Sequence, residues 1–149
     1  MAADVFCQII GGELEASEVW RDQQVVAFLD HRPVFKGHVL VCPTVHVATL
    51  PELPPELIAP LFAATARIAA AVRPAFGAQG SFVAVNNVVS QSVPHLHVHI
   101  VPRSAGDGLR GFFWPRQRYA EGEEAGYAAR LRAALAPSAA ELSEPGARD

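Results

Sequence analysis

Cysteine is nearly absent from this chain: Cys7 and Cys42 are the two found in 149 residues. Two thiols so far apart exclude a disulfide framework, and they read as the reduced thiols of a cytosolic protein. An excess of either charge is also lacking. Lys and Arg number 12 against 15 Asp and Glu, for a net charge of −3. That balance offers no general attraction to nucleic acid or acidic lipid, so any anion site has to be local. Long apolar runs are missing too. The most apolar stretch, Leu57 to Val72, contains Pro60 and Arg67 and reads as too short to cross a bilayer. The N-terminus has no basic segment followed by an apolar run, so it reads as free of a signal peptide. No internal repeat is visible. What is present is 50% hydrophobic, in a length that suits one domain with its own core.

Residues 4–12 read as a short helix or turn stopped by Gly11-Gly12. Val19-Trp20 and Val25 to Leu29 read as strands around the turn Asp22-Gln23-Gln24. His38 to Cys42 is a continuous apolar run suited to a buried strand, ended by Pro43. Leu57, Leu61, Ile68 and Val72 recur at helical spacing, closed by Pro74 and Gly77. Pro60 predicts that this helix begins near Ala59 or kinks there. Ser81 to Asn86 reads as a strand returning through a tight connection at Asn87 to Ser90. Glu121 to Leu135 predicts a helix with Tyr127, Leu131 and Leu135 on one face. The order of elements is that of an α+β fold, an antiparallel sheet with a long helix on one face and a helical C-terminal extension. Residues 1–136 are expected to form one domain, with the extension starting near 104 and a disordered tail over 137–149.

The informative stretch is Gln91-Ser92-Val93-Pro94-His95-Leu96-His97-Val98-His99-Ile100-Val101-Pro102-Arg103. Half of the chain's six histidines sit here at two-residue spacing with apolar residues in every gap. As a strand it makes a row of imidazoles on one face and Leu96, Val98 and Ile100 on the other. A single such histidine is usually a half-buried polar residue; three in this pattern ask for a polar counterpart. Neighbouring positions on one strand face are about 6.5–7 Å apart, so the rings can surround a ligand the size of a phosphate. Histidine can act as nucleophile, proton donor and hydrogen-bond donor at neutral pH. His97, flanked on both sides, is the best nucleophile candidate, with His95 and His99 orienting it and holding phosphate oxygens or the leaving group. Zinc is the chemical rival, but one strand rarely converges three rings on one ion.

His95-x-His97-x-His99 with two following apolar residues resembles the signature of the histidine triad superfamily of nucleotide hydrolases and transferases. Phe6-Cys7-x-Ile9, Val26 to Asp30 with Pro33, Gly37 to Val41, Pro43 and His46 are similar to it as well. The resemblance runs from about Val5 to Arg103. It implies a homodimeric α+β fold acting on a purine nucleotide, with no cofactor required, no membrane and no nucleic-acid partner. His97 would attack the α-phosphorus to form a nucleotidyl-histidine. His99 would contact the phosphate, with His95 and His38 flanking and orienting the site. Gln91 and Ser92 would bind phosphate oxygens or the leaving group, Asp30 the ribose, and Asn86 or Asn87 the ribose and phosphate. Phe6, Ile9, Phe28 and His31 would line the base pocket.

Each has a plainer reading: Asp30, Asn86 and Asn87 as turn residues, Ser92 as a solvated hydroxyl, His38 as a satisfied core histidine. The sequence departs from the family in two places. Asn86-Asn87 runs through Val88-Val89-Ser90 to Gln91 in a short loop without glycine. The Cys-x-x-Cys of zinc-bearing bacterial members is Asp4-Val5-Phe6-Cys7 here, so Asp4, Cys7, His46 and His95 form the candidate zinc set. Phe112-Phe113-Trp114 with Arg110, Arg116 and Arg118 either select the leaving group or pack a C-terminal core. The leaving group stays open between a dinucleoside polyphosphate and a nucleoside phosphoramidate. A nucleotide sensor with incidental hydrolysis would use the same residues.

Overall fold

Strand alternation decides how the histidines are presented. The computed structural model describes residues 3–109 and 116–135, and the chain divides into two compact units, Met1–Gly108 and Leu109–Asp149. The first unit holds strands β1 (Glu18–Arg21), β2 (Val25–Leu29), β3 (Val39–Pro43), β4 (Gly80–Ala84) and β5 (Val98–Arg103). They form one sheet in the order β1-β2-β3-β5-β4, with every neighbouring pair antiparallel. The β1–β2 turn is made by a side chain: Asp22 Oδ1 accepts from the amides of Gln24 and Val25, each at 2.8 Å.

Helix α2 (Pro55–Phe76) covers one face of the sheet. Its Leu61, Ala64, Ile68 and Val72 pack with Val25 and Ala27 of β2, Val39 and Val41 of β3, and Val98 and Ile100 of β5. The intervening strand residues, Val26, Phe28, Leu40 and Cys42, point the other way and cluster with Phe6 of the short helix α1 (Val5–Ile10). With both faces covered, β2 and β3 read as unbroken apolar runs. His99, between Val98 and Ile100, therefore falls on the α1 face.

Helix α2 ends at Gly77 as expected but differs from expectation at its start and at Pro74. It begins at Pro55 and carries both Pro60 and Pro74 inside it. Pro60 removes the bond that its amide would make to the Glu56 carbonyl, an interior cost carried by a helix whose buried stripe packs on the sheet. Gly77, at φ 66°, ends the helix in the left-handed conformation that glycine adopts freely. At 22 residues α2 is long and apolar enough to cross a membrane, against the sequence estimate. Its buried stripe of Leu61, Ala64, Thr65, Ile68 and Val72 is instead occupied by the sheet.

The histidine stretch also departs from a simple hairpin. β4 does pair with β5, with Ala84 opposite His99. The ladder starts only at Val98, so His95 and His97 precede the strand, and residues 85–97 make a long connection rather than a tight turn. Alternation nonetheless persists through it: Leu96 joins Val98 and Ile100 in the α2-side core. The imidazole side is not open to solvent. His95 is fully buried and His97 is 4% exposed, because α1 lies over them.

In the second unit, α3 (Glu123–Leu135) exposes Tyr127, Leu131 and Leu135. Tyr127 packs against Tyr119 at 5.5 Å and beneath the Arg130 guanidinium at 4.2 Å. Arg116 and Arg118 belong to this unit. Arg110, Phe112-Phe113-Trp114 and the tail at 137–149 lie outside the described residues.

Candidate active site

Backbone groups fix the tautomers of His38, His95 and His97. The Val34 amide donates to His38 Nδ1 at 3.1 Å, so that nitrogen carries a lone pair. In the neutral ring the proton is then on His38 Nε2, which lies 2.9 Å from His99 Nδ1 and donates to it. This leaves the His99 proton on Nε2, which is buried and without a hydrogen-bond partner among the described residues. A buried, unmatched N–H calls for an acceptor. Both rings are held neutral. Burial, then the charges of His97 and His38, push His99 down to about 4. Burial likewise depresses His38, against the opposing Asp30 carboxylate.

His97 is set the opposite way. Its Nδ1 donates to the His95 carbonyl at 2.7 Å, so in the neutral ring the lone pair is on Nε2. The His97 and His99 rings are 4.8 Å apart between centroids. Phe6 meets His97 edge-on at 5.1 Å and 90°. The neighbouring rings thus offer one lone pair and one N–H donor, side by side, under a largely dry cover.

The other expected site residues fall around this pair. Asp30 closes β2 and is 18% exposed in its side chain. Its Oδ1 accepts from the Arg32 amide at 2.9 Å, while Oδ2 lies 3.7 Å from His38 Nδ1. It is both a turn-former and a carboxylate with one oxygen left toward the site. Asn87 Oδ1 accepts from the Leu50 amide at 2.8 Å, which commits it to the loop. Asn86 lies two residues beyond the end of β4, outside its ladder with β5. Gln91 is engaged on both sides: Oε1 accepts from the Val88 amide at 2.9 Å and Nε2 donates to the Ala48 carbonyl at 2.6 Å. It therefore shapes the loop, with one N–H left over. Ser92 is exposed. Phe6 and Phe28 are buried at 7% and 2% and pack edge to face at 5.3 Å. Phe6 also meets His95 and His97 edge-on, Ile9 lies at the margin of the Phe6–Phe28 pair, and the His31 ring is 88% exposed. The carbonyls of Pro43 and His95 and the amide of Val34 carry no side-chain signal in the sequence, and they orient the rings.

Among the described residues, two clusters have the composition of metal sites: Asp30, His38 and His99, and Asp4, Cys7, His46 and His95. In the first, the His38–His99 hydrogen bond accounts for the close approach. The second differs. His95 Nε2 lies 3.0 Å from the Pro43 carbonyl, which can only accept, so His95 Nδ1 presents a lone pair. That lone pair faces Cys7 Sγ at 3.6 Å and Asp4 Oδ2 at 3.5 Å. His46 Nδ1 is 3.4 Å from the same sulfur and 3.0 Å from the same oxygen. Asp4 Oδ2 is nevertheless buried without a properly directed hydrogen bond. Burial opposes its charge, but the Cys7 amide and the neighbouring histidines hold its carboxyl below the ordinary value. Burial and the Asp4 charge push the Cys7 thiol up. The ligand atoms of Asp4, Cys7, His46 and His95 lie within 4.8 Å of one another, and this donor set fits zinc, which takes Cys, His and Asp ligands.

An apolar groove of about 270 Å³ runs on the opposite face of the sheet, past Trp20, Val39, Ile68 and Phe76. Its one cation, Arg67, stacks over Trp20 at 4.9 Å. It lacks the proton-transfer groups of the histidine site.

Residues 11–106 match the family model described as the HIT domain. The chain is 42% identical over 113 residues to Protein hit of Bacillus subtilis, covering 74% of this chain and 77% of that one. It is 36% identical over 107 residues to adenylylsulfatase HINT3 of Arabidopsis thaliana, covering 70% and 54%. Over 113 residues it is 32% identical to an adenosine 5'-monophosphoramidase of Schizosaccharomyces pombe, covering 74% and 82%. Among solved structures it is similar to a HIT-family member from Bacillus subtilis, with TM-score 0.84, 34% identity and coverage of 92% and 100%. It is also similar to a zinc-bound histidine triad protein from Mycobacterium smegmatis, with TM-score 0.67, 36% identity and coverage of 87% and 96%. With most of the first unit matched and the histidine signature inside the match, near its end, the chain belongs to the histidine triad, or HIT, domain family.

Proposed function

We propose that this protein is a nucleotide hydrolase or nucleotidyl transferase that cleaves at the α-phosphate through a covalent intermediate on His97. The observation that carries this reading is the pairing of a His97 Nε2 lone pair with the buried, unmatched Nε2–H of His99. The lone pair attacks the α-phosphorus, a phosphorus–nitrogen bond forms, and the bond to the leaving oxygen or nitrogen breaks. The His99 N–H donates to a non-bridging oxygen as charge accumulates there. Water then attacks the phosphorus, releases the nucleoside monophosphate and returns the electron pair to His97. Asp30 Oδ2 accepts from the ribose, Asn86 and Ser92 serve ribose and phosphate, and Gln91 shapes the loop beside the leaving group. A purine base lies toward Ile9 and His31, over the Phe6–Phe28 pair. The relatives named for an adenylyl sulfate and an adenosine monophosphoramidate substrate support this class.

Two further features belong to the same reading. Strand β4 is a sheet edge, and Ile58, Phe62 and Val83 are exposed, which suits a homodimer. Asp4, Cys7, His46 and His95 would hold a zinc ion whose chemistry is structural, tying α1 to the histidine segment. Elemental analysis tests the metal: a folded, metal-free protein would remove it.

The deciding experiment is intact-mass analysis after rapid quench with adenosine phosphoramidate, a diadenosine polyphosphate and a nucleotide sugar. A nucleoside monophosphate adduct that is lost in His97→Ala is the expected result. A phosphoryl adduct without the nucleoside contradicts attack at the α-phosphorus. Nucleotide binding with turnover no faster than His97→Ala would select the sensor reading instead.

A further inference from the structure

We infer that His95 is a positioning residue with two working ends, and that filling the Asp4–Cys7–His46–His95 cluster with zinc fixes the orientation of the His97 nucleophile. This rests on the proposed role of His97. The ring of His95 faces the cluster, at 3.5 Å from Asp4 Oδ2 and 3.6 Å from Cys7 Sγ. Its backbone carbonyl accepts the His97 Nδ1 proton at 2.7 Å. One fully buried residue therefore links the ligand cluster to the bond that sets the nucleophile's tautomer.

A second path runs through α1. Asp4 caps this helix by accepting from the Cys7 amide at 2.8 Å, and Cys7 lies within it. Phe6, between them, packs edge-on against His97 at 5.1 Å and against His95 at 6.2 Å. At 6 residues, α1 is too short to persist by its own hydrogen bonds, so its position depends on what holds it. A cation bound by Asp4 and Cys7 holds the helix that covers one flank of His97. Bound by His95 and His46, the same cation holds the segment that forms the other. Without a cation, the Asp4 carboxylate and the His95 lone pair oppose each other at close range. The cluster and the substrate chemistry are thus coupled without sharing any ligand.

The test compares the wild-type protein with His46→Ala, purified and dialysed against a chelator, each with and without added zinc. His46 is the most exposed member of the cluster, so its truncation spares the core, and its contacts are to Cys7, Asp4 and His95. The first readout is zinc stoichiometry. The second is the solvent-protected Nδ1 proton of His97, followed by NMR with His97→Ala as the assignment control. The third is kcat and KM separately. The expected outcome is one zinc per wild-type chain and a sharp His97 Nδ1 proton that broadens when zinc is removed. The same removal should lower kcat roughly 10- to 100-fold with little change in KM, the range typical of losing an orienting partner. The His46→Ala protein should resemble the zinc-free protein at zinc levels that saturate wild type. An unchanged proton signal and kcat in the zinc-free protein overturns the inference, and so does a wild-type protein that takes up no zinc. If zinc sharpens the His97 signal but no substrate is turned over in any form, the coupling stands and the catalytic reading fails.

Discussion

Replacing His38 with Leu tests the proton arrangement most directly. The change keeps an apolar side chain of similar bulk at a position only 3% exposed. It deletes two hydrogen bonds, the one accepted from the Val34 amide at 3.1 Å and the one donated to His99 Nδ1 at 2.9 Å. The His99 nitrogen is left unmatched on a half-buried ring, at about 1–3 kcal/mol, whereas the amide of the exposed Val34 can turn to water. The fold should lose about 1–3 kcal/mol. The catalytic loss has a separate origin. Only the His38 donor forces the His99 proton onto Nε2, where it can meet a phosphate oxygen. Without it, the tautomers equalise and the ring loses its anchor. A preference of about 1–3 kcal/mol translates into a fall in kcat of roughly 5- to 150-fold. His38→Gln keeps a donor near the Nε2 position and should recover part of the rate while still losing the Val34 bond. The assay is kcat and KM on the best substrate, with urea melts and NMR of the His99 ring nitrogens. A His38→Leu protein with wild-type kcat, or with the proton still on His99 Nε2, would refute the relay.

Acid should weaken the fold through the same rings. The folded His99 value of about 4 and the lowered His38 lie beneath the ordinary imidazole value near 6.5, so the unfolded chain binds more protons between them. Stability is full above that ordinary value and declines as pH falls through the window toward 4; a urea midpoint that stays flat there would contradict it. Leu96→Ala should cost about 2–5 kcal/mol, because Leu96 is completely buried in the α2-side core. A thermal melt within a degree of wild type would show that the segment is not clamped. Val88 sits at φ 69°, a region costly for a β-branched side chain. Val88→Gly should stabilise the protein by up to about 1 kcal/mol once glycine's own entropy is subtracted. A destabilised variant would mean that the exposed Val88 side chain makes a contact that the strain sustains.

Much of the site was legible before any coordinates. The spacing of His95, His97 and His99 announced one face, and Leu96, Val98 and Ile100 announced the opposite core. Strands β1 to β3 and the apolar stripe of α2 followed from simple periodicity. The ends of elements were less legible, as at Pro60, because a helix whose buried stripe packs on the sheet can carry the cost of an interior proline. The two asparagines could not be separated by type. Asn87 is committed to the Leu50 amide, a partner distant in sequence that residue type does not announce.

The boundary of β5 carries the deeper lesson, because it explains how a nucleophile can be oriented here at all. Two-residue alternation sets which face a side chain takes, but it does not show whether the backbone is in a ladder. β3 ends at Pro43, which has no amide to give, and the ladder between β3 and β5 stops at Val41 and Val98. Beyond that point the histidine segment stays extended but is no longer used up by neighbours. Its Leu96 amide is taken by the Val47 carbonyl at 2.6 Å. The His95 carbonyl is left over, and His97 Nδ1 takes it. The Pro43 carbonyl is left over too, and the His95 ring takes that. Had the strand continued through all three histidines, both carbonyls could have been claimed by the sheet, and neither ring would have an assigned tautomer. The early end of the strand frees the two backbone acceptors that set His95 and His97 in opposite tautomers.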